Sequence, residues 1–215
     1  MLTSFLRPDA PPPSSKTDEE LRERIDNREN YLPETVLNAV AELQRRGHEF
    51  SEEELQVINE DMQARMEIAG SGNTTLATLN DNYKNALVED PDAYEFYSRR
   101  VVRVFTFFFG AVFGSIMMAI NIQKTKNFGG VALVLLFGFG TTFVELILAS
   151  GANLNASASI LFSIINSYLI DLLFWNNYIG NSTLYTARKY WAPLIIGLLL
   201  AGFVVWSMFQ GKLVA

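Results

Sequence analysis

Four long apolar runs fill the second half of the chain, at residues 104–122, 128–150, 156–175 and 191–209. They hold 19, 23, 20 and 19 residues, and a helix needs roughly 20 to cross a ~30 Å hydrocarbon core. Each run therefore reads as a transmembrane helix. Short connections between them predict an up-down bundle. Tyr97, Trp175, Tyr178, Tyr190, Trp191 and Trp206 fall near run ends, where amphipathic rings favour the headgroup level.

The charge distribution is equally uneven. Residues 1–98 hold 9 of the 17 Lys and Arg and 21 of the 23 Asp and Glu, whereas residues 99–215 hold 8 bases and only Glu145 and Asp171 as acids. An acidic, polar half followed by a basic, apolar half is neither an ordinary soluble globule nor a wholly disordered chain. With no cysteine and the single histidine His48, no thiolate metal site, cysteine nucleophile or Ser-His-Asp triad is expected. The bases are too scattered for a nucleic-acid face. No catalytic residue, metal ligand or cofactor site is assigned.

Residues 17–69 carry the signals of three short helices. Thr17 with Glu20, and Ser51 with Glu54, have the spacing of capping boxes, in which two side chains satisfy orphan N–H groups of a helix start. Pro33 suits a first helical position, and Arg45-Arg46-Gly47 makes a basic last turn with a glycine stop. Leu21 and Ile25, then Val36, Leu37, Val40 and Leu43, then Leu55, Ile58, Met62 and Met66 recur at helical spacing. About fifty residues bury little surface, so the module is expected to lean on the membrane part, on a second copy or on a partner. Residues 1–16, with three consecutive prolines, read as a disordered tail, and no signal peptide is expected. Residues 70–98 read as a linker and juxtamembrane helix, continuous from Asp92 into the first span. The whole is expected to be all-α: a small three-helix cytosolic module, then a four-helix transmembrane bundle at 99–215. Four crossings split the flanking Lys and Arg five inside to four outside, so the absent signal peptide carries the N-inside orientation.

Gly110 and Gly114 form a GxxxG pair, and Gly197 with Ala201 repeats the spacing, so these four are the candidate helix-packing positions, within the bundle or at a dimer seam. Ionisable residues at membrane depth are costly and mark candidate sites. Glu145 and Asp171 qualify, with Asn166, Ser163 and Ser167 forming a polar stripe on the third run. A straight-helix bundle places the two acids at different depths, so they are not expected to pair. It puts Arg103 on the side of Glu145 as a structural ion pair, and one of Lys124, Lys126, Arg188 or Lys189 near Asp171. The acids either line a proton or ion path or sit in structural pairs. His48 reads as a loop residue, and Glu52-Glu53-Glu54 as a helix N-terminus that complements the dipole.

Glu20-Leu21, Tyr31, Pro33-Glu34, Val36, Ala39 and Glu42-Leu43 with Arg45-Arg46-Gly47 resemble a helical signature at the start of many Bacteroidota membrane proteins. Residues 114–121 and 174–180, with Trp191 and Pro193, are similar to the membrane half of that uncharacterised family. The resemblance implies a bacterial inner-membrane location and adds no catalytic residue. The expected function is a non-enzymatic multi-pass scaffold or accessory subunit, in contact with the bilayer and with a protein partner or itself. A small transporter or channel component using the third-run stripe is the alternative.

Overall fold

The computed structural model describes residues 6–70, 87–151, 156–180 and 183–213, and these are predominantly helical. The chain divides into two compact units. One comprises Met1–Phe96 with Ile179–Ala187, and the other Tyr97–Tyr178 with Arg188–Ala215.

The first unit contains the three expected helices, α1 (Asp18–Asp26), α2 (Pro33–Arg45) and α3 (Glu52–Gly70). Thr17 and Glu20 close a reciprocal capping box on α1, and Ser51 accepts a bond from the Glu54 amide at the start of α3. The stripes face one another: Leu21, Ile25, Val36, Ala39, Val40, Leu43, Ile58 and Met62 form one buried cluster. Leu37, Leu55 and Met66 pack against its edge. Arg45 and Arg46 hold Glu42 by short bonds of 2.7 to 2.8 Å, and these hydrogen bonds pull its carboxyl down to about 2. His48 is half-buried, with Nε2 2.8 Å from Asp18 Oδ2, so it is tied to α1 as well as lying in a loop.

This unit is larger than the sequence pattern implies. Residues 6–16, expected to be a disordered tail, are tied down: the Arg7 amide donates to the Asp92 carbonyl, and Lys16 reaches the Asp92 carboxylate at 2.9 Å. Residues 92–97, expected to continue as a helix, are turn and extended chain. β1 (Glu95–Phe96) pairs in parallel with β2 (Thr186–Ala187), which comes from the connection after the third apolar run. Leu32, Val88, Ala93 and Leu184 make a second small core. The periodicity of residues 87–96 is too short to signal a strand, and the partner strand lies 91 positions away. The proposed linker at 71–86 lies outside the described residues.

The second unit overturns one expectation outright. Residues 104–122 are not one helix. Ser98 caps α4 (Arg99–Phe109), which ends at Gly110, and α5 (Ala111–Lys124) starts immediately after it. A continuous helix would hold Tyr97 and Asn121 about 36 Å apart. Instead the Tyr97 amide donates to Asn121 Oδ1 at 2.9 Å, and Asn121 Nδ2 donates to the Tyr97 carbonyl at 2.8 Å. Gly114 lies against Thr106, and the rings of Phe105 and Phe113 stack at 5.7 Å. The run is a helical hairpin. Gly110 makes the turn with φ 87° and ψ 169°, a region essentially reserved for glycine.

Three longer elements follow: α6 (Phe128–Gly151), α7 (Ala156–Ile170) continued by a π-helical segment (Asp171–Ile179), and α8 (Trp191–Leu213). Phe128–Ser150 and Ser157–Ile179 are each long and apolar enough to cross a membrane, and Trp191–Ser207 is a shorter apolar stretch. α5 packs antiparallel on α6, with Gly138 against Ser115 and Gly130 against Ile122. α4 lies along α7, α6 meets the π segment through Phe137 and Phe174, and Gly197 of α8 lies against the Phe109 ring. Ala201 is exposed, so of the four candidate packing positions Gly114 and Gly197 make close contacts and Gly110 is the turn.

The two folds of residues 99–124 predict opposite signs for one substitution. In a continuous helix Gly110→Ala should stabilise by up to ~1 kcal/mol. At the turn seen here the same change should destabilise by about 1–3 kcal/mol. Thermal unfolding of the full chain in detergent reads the sign directly.

Candidate functional site

The polar site of the second unit is assembled by the hairpin. Because α4 and α5 double back, Arg99 lies at the same end of the unit as Asn121 and Lys124, instead of one membrane thickness away. That is the end at which α7 finishes. Arg99 is buried, and its guanidinium grips Asp171, Nε to Oδ1 at 2.5 Å and Nη2 to Oδ2 at 3.0 Å. The same Nη2 bonds Asn176 Oδ1 at 2.8 Å, and the guanidinium carbon lies 5.7 Å from the Trp175 ring centroid. A planar fork meeting a carboxylate in this way is the strongest form of side-chain ion pair.

The π-helical segment explains how three of these partners converge. It runs from Asp171 to Ile179 and carries Asp171, Trp175 and Asn176. Wider turns of this kind occur largely at functional positions, because they re-aim side chains that an α-helix would spread around its surface.

Asp171 therefore takes Arg99, and not Lys124, Lys126, Arg188 or Lys189. Asp171 lies at the end of the unit where those four bases sit, and a straight span would put Arg99 beyond the opposite end. Glu145 and Asp171 do not pair, as expected. Arg103 also moves with the fold: its guanidinium lies 5.4 Å from the Tyr168 ring centroid. It precedes the Gly110 turn by seven residues on α4, while Glu145 follows Gly138, the α6 residue at the turn, by seven. At 1.5 Å per residue the two are about 20 Å apart along the helix axes, beyond the reach of an Arg103–Glu145 pair. Glu145 is half-buried toward the far end of α6.

One hydroxyl of the α7 stripe is satisfied within its own helix. Ser167, almost fully buried, donates to the Ile164 carbonyl at 2.7 Å, and Thr141 on α6 likewise returns its hydroxyl to Phe137 at 2.9 Å. Asn166 is buried and Ser163 half-buried. Hydroxyls bonded back to their own helix need no water or ion.

The first unit has its own polar centre. Asp90, fully buried, accepts the amides of Leu32 and Asp92, while Asp92 is shared by Lys16 and Arg24. Burial pushes the Asp92 carboxyl up, but the hydrogen bonds from Lys16 and Arg24 outweigh it and leave it below the usual value. A cavity of about 170 Å³ lies beside this cluster, between Pro11, Pro12, Thr35, Asn38 and Asp92. Among the described residues, no group of three or more His, Asp or Glu is placed to hold a metal ion.

No family model, curated protein or solved structure matches the chain.

Removing one member of a buried pair strands the other charge and costs about 3–5 kcal/mol, whereas removing both costs much less. Arg99→Met and Asp171→Leu should each lower thermal stability in detergent by that order. The double variant should recover most of the loss. Additive losses would show that the two side chains act independently.

Proposed function

We propose that this protein is a non-enzymatic scaffold or accessory subunit of a bacterial inner membrane, whose N-terminal helical unit faces the cytosol and docks a protein partner. The observation that carries this reading is the closed state of Asp171. A carboxylate serving a proton or ion path needs a free oxygen and access to water, and this one has both oxygens on Arg99 and is 3% exposed. The Ser167 hydroxyl of the stripe bonds back to its own helix. These features favour a structural membrane part over the transporter or channel alternative. The resemblance to Bacteroidota membrane proteins supports the inner-membrane location.

The hairpin changes the membrane arrangement that this reading implies. α4 and α5 have 11 and 14 residues, about 16 and 21 Å, too short to cross. Gly138, opposite the turn, is ten residues into α6, about 15 Å, near mid-depth of the hydrocarbon core. Residues 99–124 thus form a re-entrant hairpin, and α6, α7 and α8 supply three crossings in place of four. All seven Lys and Arg between residues 97 and 210 then collect at the end where α6 begins. With Lys84 counted as before, five to four becomes eight to one, with Lys212 of α8 on the other side, and the excess of bases faces the cytosol.

Two experiments test these points. The chain has no native cysteine, so single cysteines report cleanly. In intact cells Gln210→Cys, near the end of α8, should react with an impermeant maleimide while Ser51→Cys stays protected. Equal behaviour of the two would restore an even number of crossings. Separately, a photo-crosslinker at Val57, an exposed apolar position on α3, should trap one discrete protein adduct in native membranes. Absence of any adduct from Val57 and the other exposed positions of α3 would overturn the docking role.

A further inference from the structure

We infer that the cavity of the first unit binds a small carboxylic acid in its ionised form, held by Arg7 and Thr35 against an apolar wall. All the residues involved belong to the first unit, and neither the membrane reading nor the docking role is needed.

One wall of the cavity is the segment 6–16, and that segment is anchored along its length. The Arg7 amide donates to the Asp92 carbonyl at 2.8 Å, and the Ala10 amide closes a turn onto the Arg7 carbonyl at 3.0 Å. Arg46 Nη2 donates to the Ser14 carbonyl at 3.1 Å, and Lys16 reaches Asp92 at 2.9 Å. Between these ties lie Pro11, Pro12 and Pro13, whose rings fix φ. A chain so constrained resists collapsing into the space behind it. On the facing side Thr35, Asn38 and Ala39 recur at three- and four-residue steps and share one face of α2.

Two buried polar atoms of the lining have no partner within the protein: Thr35 Oγ1 and Arg7 Nε. Thr35 is 5% exposed. Helical hydroxyls elsewhere in this chain return to a carbonyl of their own helix, as Thr106 does to Val102 and Thr141 to Phe137. Thr35 does not, although a buried hydroxyl left unpaired is costly. Arg7 reaches only the exposed Asp9, with Nη1 at 4.0 Å, and its Nε takes no part. The other lining cations are committed, because Lys16 and Arg24 both hold Asp92. Arg7 and Thr35 are therefore the two groups left to bind a ligand. A guanidinium N–H calls for an acceptor oxygen and binds an ionised one best, and a hydroxyl can donate to the same group.

The volume and the remaining walls set the rest of the ligand. A cavity of about 170 Å³ is close to the ~150 Å³ that accommodates benzene, so about six or seven heavy atoms fit. Leu6, Pro12, Leu21 and Ala39 offer those atoms apolar contact. Inorganic phosphate would meet the polar pair and leave this surface uncovered. A branched or straight aliphatic acid of that size uses both parts.

The test titrates isobutyrate and isovalerate into the full chain in detergent and follows them by ligand-observed NMR. Saturable binding with a Kd on the order of 1 mM is expected for so small a ligand. Isovaleramide, of the same shape but uncharged, should bind about tenfold more weakly. Inorganic phosphate should not compete. Arg7→Met should weaken isovalerate binding by about tenfold, and Thr35→Val by about fivefold. Thr35→Val should also raise the unfolding temperature of the ligand-free protein, since it removes an orphaned hydroxyl at constant shape. A purely structural threonine would respond in the opposite direction. No saturable binding of either acid up to about 10 mM would overturn the inference and leave the cavity to water. Equal binding of acid and amide, or competition by phosphate, would overturn the carboxylate assignment. Unchanged affinity in both variants would place the acid elsewhere and overturn the site. If Arg7→Met fails to fold, Thr35→Val and the comparison of acid with amide decide. Failure of the docking role has a different signature, the missing adduct at Val57, and leaves these titrations unchanged.

Discussion

The reversal of the chain at Gly110 is the constraint on which the second unit depends. Its backbone conformation is nearly closed to other residues, and Thr106 leaves no room for a Cβ at Gly114. The Asn121 amide then clasps both polar groups of Tyr97 at the open end. The clasp resembles a short piece of strand pairing made by a side chain. It satisfies an amide and a carbonyl that begin the hairpin, where an unsatisfied group in an apolar setting would be expensive. Turn, waist and mouth are thus each held by a different interaction.

Several consequences follow from that one fold. It carries Arg99 back to the end of α7, where Asp171 waits in a π-helical segment, and so turns two costly charges into a mutually satisfied pair. A buried pair of this kind is weak evidence for added stability, since apolar replacements of both partners are often tolerated. In this alignment of α4 against α7 the guanidinium meets Asp171 and Asn176 together and lies over Trp175.

The first unit illustrates a different kind of dependence. Its three-helix core stands on local signals, but the unit is completed by a strand from residues 186–187, returned by the connection between α7 and α8. The chain passes from the first unit to the second at residue 97, back at 179 and out again at 188. The ends of α4, α7 and α8 that adjoin these passages are therefore tethered to one folded unit through the backbone.

The sequence alone determined the helices of the first unit, because capping residues, an N1 proline and 3.6-residue periodicity act within a few positions. It also determined the apolar character of α6, α7 and α8 and the lack of pairing between Asp171 and Glu145. Hydropathy could not reveal the break at Gly110, since a glycine within an apolar run is compatible with both a straight helix and a turn. Asn121 was the one local hint, a polar residue whose two bonding groups needed a partner. The identity of the Asp171 partner, the separation of Arg103 from Glu145 and the pairing of Phe96 with Ala187 were decided only by tertiary structure. Each depends on which distant segments meet, and side-chain spacing carries no record of a chain reversal.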